Sequence, residues 1–80
     1  MTYTVYVLKS LKDAKRYVGY TKDLDRRLLE HENGGCKSTR NRKPFKLVYA
    51  ENFQTKSEAM GRERFFKSSK GRGYLKALNL

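Results

Sequence analysis

The sequence has few of the residues that cross-linked folds and metal cages require. Its 80 residues include one cysteine, Cys36, and one histidine, His31. A single cysteine excludes an intramolecular disulfide and a cysteine-only metal site, and a single histidine excludes a zinc cage of His and Cys. We therefore expect a reducing, cytoplasmic setting and no disulfide partner.

Long apolar runs are also missing. No run approaches the roughly 20 apolar residues that cross a bilayer, so the sequence predicts no membrane partner. The opening segment MTYTVYVLKS lacks a basic region before an apolar one, and we expect no secretory signal. The chain shows no repeat, linker or low-complexity tract, and its length predicts one domain over residues 1–80.

Acidic residues are scarce beside basic ones. Lysine and arginine number 19 against 8 aspartates and glutamates, so the formal net charge is +11. A field of this sign attracts nucleic acid, an anionic membrane surface or an acidic protein. We favour nucleic acid among the three, because Lys and Arg side chains neutralise its phosphates.

The pattern of β-branched and aromatic residues predicts three strands. They lie over residues 2–9, 16–20 and 45–50. The first two are expected to pair as an antiparallel hairpin. Gly19 inside the second strand indicates the close approach of another group.

Capping residues predict the helices between and after these strands. Thr21 is the expected N-cap of the first helix, which the glycines at 34–35 end. Thr55 and Glu58 form a capping box for a second helix to about residue 69, and a short third helix follows a break at residues 71–73. The order β-β-α-β-α-α predicts an α+β fold, a three-stranded and mostly antiparallel sheet flanked by helices.

Two polar residues lie on the apolar side of the first predicted helix. At about 100° per residue, Arg27 and His31 share the side of Leu24 and Leu28. Arg27 at this position extends over the core, pairs with a carboxylate or belongs to a site.

A carboxylate lies in the apolar arc of the second predicted helix. On the helical projection Glu63 falls inside the apolar arc of Phe66, Ala59 and Met60, one turn from Ala59 and one turn from Phe66. A carboxylate there needs a partner, either a bound cation or an ion pair, for which Arg27 is one candidate. The strand tyrosines Tyr6 and Tyr17 are open to two interpretations as well, aromatic packing or catalysis.

An ordered set of motifs covers essentially the whole chain. Thr4-Val5-Tyr6 and Tyr17-Val18-Gly19 occupy the first two strands, with ten residues between the two tyrosines. Asp23 to Leu28 follow, then His31, then Leu47-Val48-Tyr49, and finally Glu58-Ala59 with Glu63. In this order the motifs resemble the GIY-YIG nuclease superfamily, and within it the small stand-alone bacterial members. Thr4 stands where the name-giving glycine does.

The resemblance implies phosphodiester hydrolysis assisted by one divalent ion. Glu63 would bind Mg²⁺, or Mn²⁺, with waters and a phosphate oxygen completing the coordination. Tyr6 would act as general base for the attacking water, and Tyr17 would position the water or the phosphate. Arg27 would hold the scissile phosphate, and His31 would orient a partner or accept a proton.

The same resemblance implies a nucleic-acid surface, with DNA expected over RNA. Basic side chains would contact the backbone without reading sequence. They are Arg16, Lys37, Arg40, Arg42, Lys43, Lys46, Arg62 and Lys67. Two alternatives stay open from the sequence: a module of this fold that binds nucleic acid without cutting it, and a basic adaptor for an acidic protein.

Overall fold

The computed structural model describes residues 2–33 and 44–80, which form three strands and three helices. In chain order they are β1 (Tyr3–Ser10), β2 (Arg16–Thr21), α1 (Leu24–Glu32), β3 (Phe45–Phe53), α2 (Lys56–Lys67) and α3 (Ser69–Ala77). The predicted α+β fold and the order of its elements are confirmed.

Strand β1 is the central strand of the sheet. The strand order is β2-β1-β3, and β1 is antiparallel to both neighbours. The predicted hairpin of β1 and β2 is confirmed, with Tyr6 opposite Gly19 and Val7 opposite Val18. An irregularity between Val7 and Leu8 shifts the register toward β3. Because it lies in the middle, β1 has a hydrogen-bonded neighbour on each edge, and the burial of consecutive residues along it shows that both of its faces are also covered.

The two faces of β1 pack against different helices. Val5 and Val7 are fully buried against the helical layer, where they join Ala59, Phe66 and Leu75 of α2 and α3 in the hydrophobic core. The alternate residues point to the other face of the sheet, since successive side chains of a strand alternate. Tyr6 is on that second face, and it meets α1 there.

The turn between β1 and β2 is fixed by side-chain hydrogen bonds. Ser10 is buried, and its Oγ accepts from the backbone N–H of Lys12 at 3.1 Å and of Asp13 at 3.4 Å. Ala14 takes a φ of 62°, a left-handed conformation that costs a non-glycine residue roughly 1 kcal/mol. The turn therefore fixes the position of Lys15 and the direction in which β2 begins.

Hydrogen bonds test the two predicted N-caps, Thr21 and Thr55. Thr55 is confirmed as the N-cap of α2, since its Oγ1 accepts from the N–H of Glu58 at 3.2 Å; the reciprocal bond to Glu58 Oε1 comes from the Thr55 hydroxyl, at 2.8 Å. The expectation for Thr21 is wrong. Asp23 caps α1 by accepting from the N–H of Arg26 at 3.2 Å, while Thr21 Oγ1 accepts from the N–H of Asp23 at 3.1 Å.

The predicted break at residues 71–73 is also wrong, because α3 runs through it. Ser68 is the N-cap and accepts from the N–H of Gly71 at 3.3 Å. A Cβ on Gly71 would lie 1.9 Å from the Phe65 carbonyl oxygen. This glycine therefore allows α3 to pack closely on the end of α2 instead of interrupting a helix.

Strand β3 continues to Phe53, three residues beyond its predicted end. Thr4 of β1 donates through Oγ1 to Asn52 Oδ1 at 2.7 Å, and Arg62 of α2 donates to Glu51 Oε1 at 2.9 Å. These tertiary contacts extend the strand through two residues with poor strand propensity. As for membranes, the helices within the described ranges are all too short or too polar to cross one.

Candidate active site

The hydroxyl of Tyr6 joins two side chains of α1. Arg27 Nε donates to Tyr6 Oη at 3.2 Å, and Tyr6 Oη lies 3.1 Å from His31 Nε2. Tyr6 is 3% exposed and His31 is 5% exposed, so the cluster is buried except at Arg27. Arg27 and His31 are four residues apart and meet one partner, which confirms that they share a helix face.

Gly19 makes room for the Tyr6 ring on the neighbouring strand. A Cβ at position 19 would lie 2.6 Å from Tyr6 Oη and 2.8 Å from Cζ, closer than packed atoms approach. The close approach expected at this glycine is thus confirmed, and the approaching group is the phenol. The second motif of the sequence shapes the environment of the first.

Burial sets the protonation of His31. Removal from water lowers the pKa of the His31 imidazole, the Arg27 charge lowers it further, and the Glu30 charge opposes both. The ring is therefore neutral at neutral pH, with one nitrogen that accepts. Since Arg27 already donates to Tyr6 Oη, the phenol proton can point to His31 Nε2. The arrangement offers a route for that proton.

Aromatic rings close one side of this cluster. Phe45 contacts Tyr17 edge to face with ring centroids 5.3 Å apart, and it contacts His31 at 6.2 Å. Phe45 was not among the predicted site residues. Its only signal in the sequence is an aromatic residue at the start of a strand, and its place depends on the pairing of Phe45 with Ser10. Phe45 fixes the orientation of two predicted site residues.

A cleft of about 260 Å³, here named the central cleft, brings the predicted catalytic and metal residues together. Its lining includes Tyr6, Tyr17, Gly19, Arg27, His31 and Glu63. These residues come from β1, β2, α1 and α2, so four separate elements build one concave surface. A cleft with a few convergent polar groups is where a ligand binds most readily.

Glu63 reaches the central cleft from α2. Its side chain is 21% exposed, and Oε1 lies 3.8 Å from Nζ of Lys67, whose side chain is 58% exposed. The sequence left Arg27 open to an ion pair, with Glu63 as one candidate partner. The structure instead shows Arg27 paired with Glu30 at 3.6 Å. Because Lys67 is exposed and the contact is long at 3.8 Å, the Glu63–Lys67 pair contributes about 0 to 1 kcal/mol, so stability alone does not explain the carboxylate.

The donor set of the central cleft fits a hard divalent ion held by one carboxylate. Within residues 2–33 and 44–80, no group of three or more His, Cys, Asp or Glu could enclose a metal. Mg²⁺ does not need such a cage, because it binds one or two carboxylates and completes its shell with waters and substrate phosphates. Glu63 is the carboxylate in the lining of this cleft.

Comparison with known proteins identifies the fold that carries this cleft. Residues 2–76 match the family model of the GIY-YIG catalytic domain. The chain belongs to the GIY-YIG family. The resemblance drawn from the motifs is thereby confirmed.

Relatives of this GIY-YIG domain come from several bacteria. A UPF0213 protein of Staphylococcus saprophyticus is 43% identical over 76 residues, which is 94% of this chain and 92% of that protein. A UPF0213 protein of Clostridium perfringens is 50% identical over 64 residues, covering 79% and 68% of the two chains. The solution NMR structure of the UPF0213 protein BH0048 from Bacillus halodurans has a TM-score of 0.59 at 43% identity, covering 98% of this chain and 85% of that one.

The basic residues predicted to bind nucleic acid occupy different parts of the GIY-YIG domain. Lys67 lines the central cleft, and Arg16 adjoins Tyr17, with its Nε donating to the Leu80 carbonyl at 2.8 Å. Lys46 is exposed on β3 and lines a separate cleft. The remaining predicted contacts of the basic loop lie outside the described residues. They are Lys37, Arg40, Arg42 and Lys43.

Arg62 is engaged inside the domain. Its guanidinium carbon lies 4.7 Å from the ring centroids of both Phe65 and Phe66, in addition to the bond from Nε to Glu51. The charge-assisted hydrogen bond to Glu51 ties α2 to β3, while the cation–π contacts hold the guanidinium against two rings of α2 itself. The structure thus gives Arg62 a packing role, and its predicted contact with nucleic acid stays a prediction.

Proposed function

We propose that this GIY-YIG domain is a metal-dependent endonuclease that hydrolyses phosphodiester bonds of nucleic acid, DNA in preference to RNA. The observation that carries the proposal is the Tyr6 hydroxyl held between Arg27 and His31 in the cleft that also contains Glu63. The preference for DNA follows from the resemblance, and the charge of +11 suits either polymer.

Tyr6 and His31 form the proton-transfer pair of the proposed reaction. The neutral imidazole at 3.1 Å takes the phenol proton on Nε2, and the Tyr6 oxygen then takes a proton from the attacking water. Arg27 stays within hydrogen-bond distance of that oxygen and stabilises the negative charge that develops on it. The proton therefore moves from water to Tyr6 as the proton of Tyr6 moves to His31.

Arg27 also suits the phosphate. Its guanidinium has five N–H donors, and one of them goes to Tyr6 Oη. Its side chain is 38% exposed, so the planar fork reaches the solvent side of the central cleft. A charge-assisted, two-pronged contact to a phosphate would hold the scissile group and counter the charge of the transition state. Tyr17, in the same lining, would orient the phosphate or the water.

Glu63 would hold the metal ion. When bound, Mg²⁺ or Mn²⁺ supplies a Lewis acid that polarises the phosphoryl group and neutralises part of its charge. The exposed partner Lys67 is 3.8 Å from Glu63, a pairing weak enough to give way to a divalent ion. Glu63 thus provides the oxygen ligand, while its neighbours in the cleft bind and activate the other reactants.

Cleavage assays on a panel of substrates test the proposal. The panel contains duplex, single-stranded and branched DNA and single-stranded RNA, each incubated with Mg²⁺, with Mn²⁺ or with EDTA. We expect strand scission that requires the metal and favours at least one DNA form. Tyr6→Phe serves as the matched inactive control, because it keeps the ring and guards against a contaminating nuclease. Binding to DNA with no scission under any condition would contradict the proposed activity and favour a noncatalytic binding module.

A further inference from the structure

Two further clefts adjoin the central cleft along β2. The first, of about 780 Å³, extends toward the β1–β2 turn and shares Tyr17, Val18 and Lys67 with the central cleft; we name it the hairpin-side cleft. The second, of about 340 Å³, extends toward the start of α1 and shares Tyr20 and Arg27 with it; we name it the helix-side cleft. A nucleic-acid strand bound in the central cleft could continue into either of these two clefts.

The two clefts differ in charge. The hairpin-side cleft contains four cations, and among the described residues of its lining there is no acid. The cations are Lys15, Arg16, Lys67 and Arg72. The helix-side cleft combines three cations with the carboxylates of Asp23 and Glu30. Since a phosphate backbone carries one negative charge per nucleotide, the hairpin-side cleft attracts it and the helix-side cleft attracts it much less.

The hairpin-side cleft is also built on a fixed backbone. The Lys15 N–H donates to Asp13 Oδ1 at 3.0 Å, and the Lys15 carbonyl accepts from the Ser10 N–H at 2.9 Å. The floor beside these cations is the buried core, where Phe66 and Leu75 are each 1% exposed. Lys15 and Arg72 are exposed at the rim, on the turn and on α3. Two separate elements therefore present charge across one apolar floor.

We infer that the hairpin-side cleft is a second phosphate-binding region, which holds the backbone of the substrate strand on one side of the scissile phosphate. The strand leaves the central cleft past Lys67, which lines both clefts, and runs between Lys15 and Arg72. The helix-side cleft does not hold the strand. The inference rests on the proposed function, because it takes the central cleft as the place of the scissile phosphate.

Salt-dependent binding tests this inference. The probe is a short fluorescein-labelled DNA duplex, and its Kd is measured by anisotropy in EDTA over a series of salt concentrations. For the Lys15→Ala/Arg72→Ala double variant we expect the log–log salt slope to become less negative by about 2, roughly 0.9 for each lost phosphate contact. We also expect Kd to rise by about tenfold or more, since two charge-assisted contacts are lost.

Two matched variants separate location from overall charge. Lys22→Ala/Arg26→Ala removes one Lys and one Arg from the helix-side cleft, and Lys56→Ala/Arg64→Ala removes the same charge from exposed positions of α2 outside all three clefts. We expect both to change the slope far less than the hairpin-side variant does. Thermal melting confirms that each variant is folded, and the charge reversal Lys15→Glu provides a second perturbation of the hairpin-side cleft.

The outcomes distinguish this inference from the proposed function. The hairpin-side region would be overturned by equal effects of the three double variants on the salt slope, or by a Lys15→Glu protein that binds like the parent. DNA cleavage by the parent would still support the nuclease in either case. A parent protein that binds the duplex without salt dependence would overturn both. If the parent protein does not cut DNA but the hairpin-side variant alone weakens binding, the result would support the cleft as a binding surface and refute the activity.

Discussion

Replacing Gly19 with alanine perturbs the site without replacing any residue that would take part in the reaction. The added methyl group would lie 2.6 Å from Tyr6 Oη and 2.8 Å from Cζ. Both atoms belong to a buried ring whose hydroxyl is bonded to Arg27 and His31. Either β2 moves away from β1 or the phenol moves away from its two partners.

The magnitude follows from these contacts. Overpacking by one methyl group in a buried region costs about 1 to 3 kcal/mol. For a domain of this size, about 1 kcal/mol corresponds to roughly 4 to 8 °C, so we expect the Tm of Gly19→Ala to fall by roughly 5 to 20 °C. If Tyr6 is the general base, its displacement should also lower single-turnover cleavage by about 10² or more.

Differential scanning calorimetry and single-turnover cleavage on the same protein check this prediction. Gly61→Ala is the matched control, because a Cβ there meets nothing within 4 Å and the residue lies inside α2, where alanine is favoured by about 1 kcal/mol. The Tyr6→Phe background should reduce the cost of Gly19→Ala, since it removes the closest atom. A Gly19→Ala protein with the parent Tm and the parent rate would refute the packing of Tyr6 on Gly19.

Four further substitutions probe the cluster and the turn. Tyr6→Phe should slow single-turnover cleavage by about 10² to 10⁴ and Arg27→Ala by about 10² to 10³. The rate of the double variant should fall by less than the product of these two factors. A Tyr6→Phe rate near the parent rate would move the base role to another group. Because burial lowers the pKa of His31 from 6.5, the unfolded chain binds the proton first as pH falls, so stability is complete above pH 6.5 and decreases below it. His31→Asn should flatten that pH dependence of Tm, and an unchanged profile would contradict the buried neutral ring. Ala14→Gly should raise stability by up to about 1 kcal/mol in denaturant titration by relieving the positive φ, and a loss would show that Ala14 is unstrained.

Helical periodicity alone placed Arg27 and His31 together. Residues four apart on a helix share a face whatever the helix packs against, so their common side was predictable from the sequence, whereas their shared contact with Tyr6 depends on how α1 packs on the sheet. Periodicity could not bring Glu63 to the same cleft, because that depends on how α2 packs on the sheet. The motif order supplied this link, and the structure places Glu63 in the lining with Tyr6.

The errors came from residues whose local signal has two meanings. Thr21 and Asp23 are both good N-caps, and only the hydrogen bond from the Arg26 N–H shows which one starts α1. Gly71 reads as a helix breaker, whereas packing against the Phe65 carbonyl outweighs the cost of a glycine inside α3. Tertiary contacts decide such cases, and a single sequence does not display them.

The sequence also left the role of Glu63 between an ion pair and a metal ligand. A buried pair would have cost about 3 to 5 kcal/mol to break. The structure instead shows a contact of 3.8 Å to an exposed Lys67, so the structural role is worth about 1 kcal/mol at most. Stability and activity can therefore be separated at this residue.

Single-turnover cleavage by Glu63→Gln in Mg²⁺, measured beside its thermal melting curve, tests the central claim most directly. We expect a Tm that falls by no more than roughly 8 °C, since the Glu63–Lys67 pair contributes about 1 kcal/mol at most, and DNA binding in EDTA that is nearly unchanged. Metal-dependent cleavage should be lost, because the amide removes the charged oxygen ligand that Mg²⁺ prefers. Cleavage by the folded variant at the parent rate would contradict Glu63 as the metal ligand and, with it, the metal-dependent mechanism assigned to the central cleft.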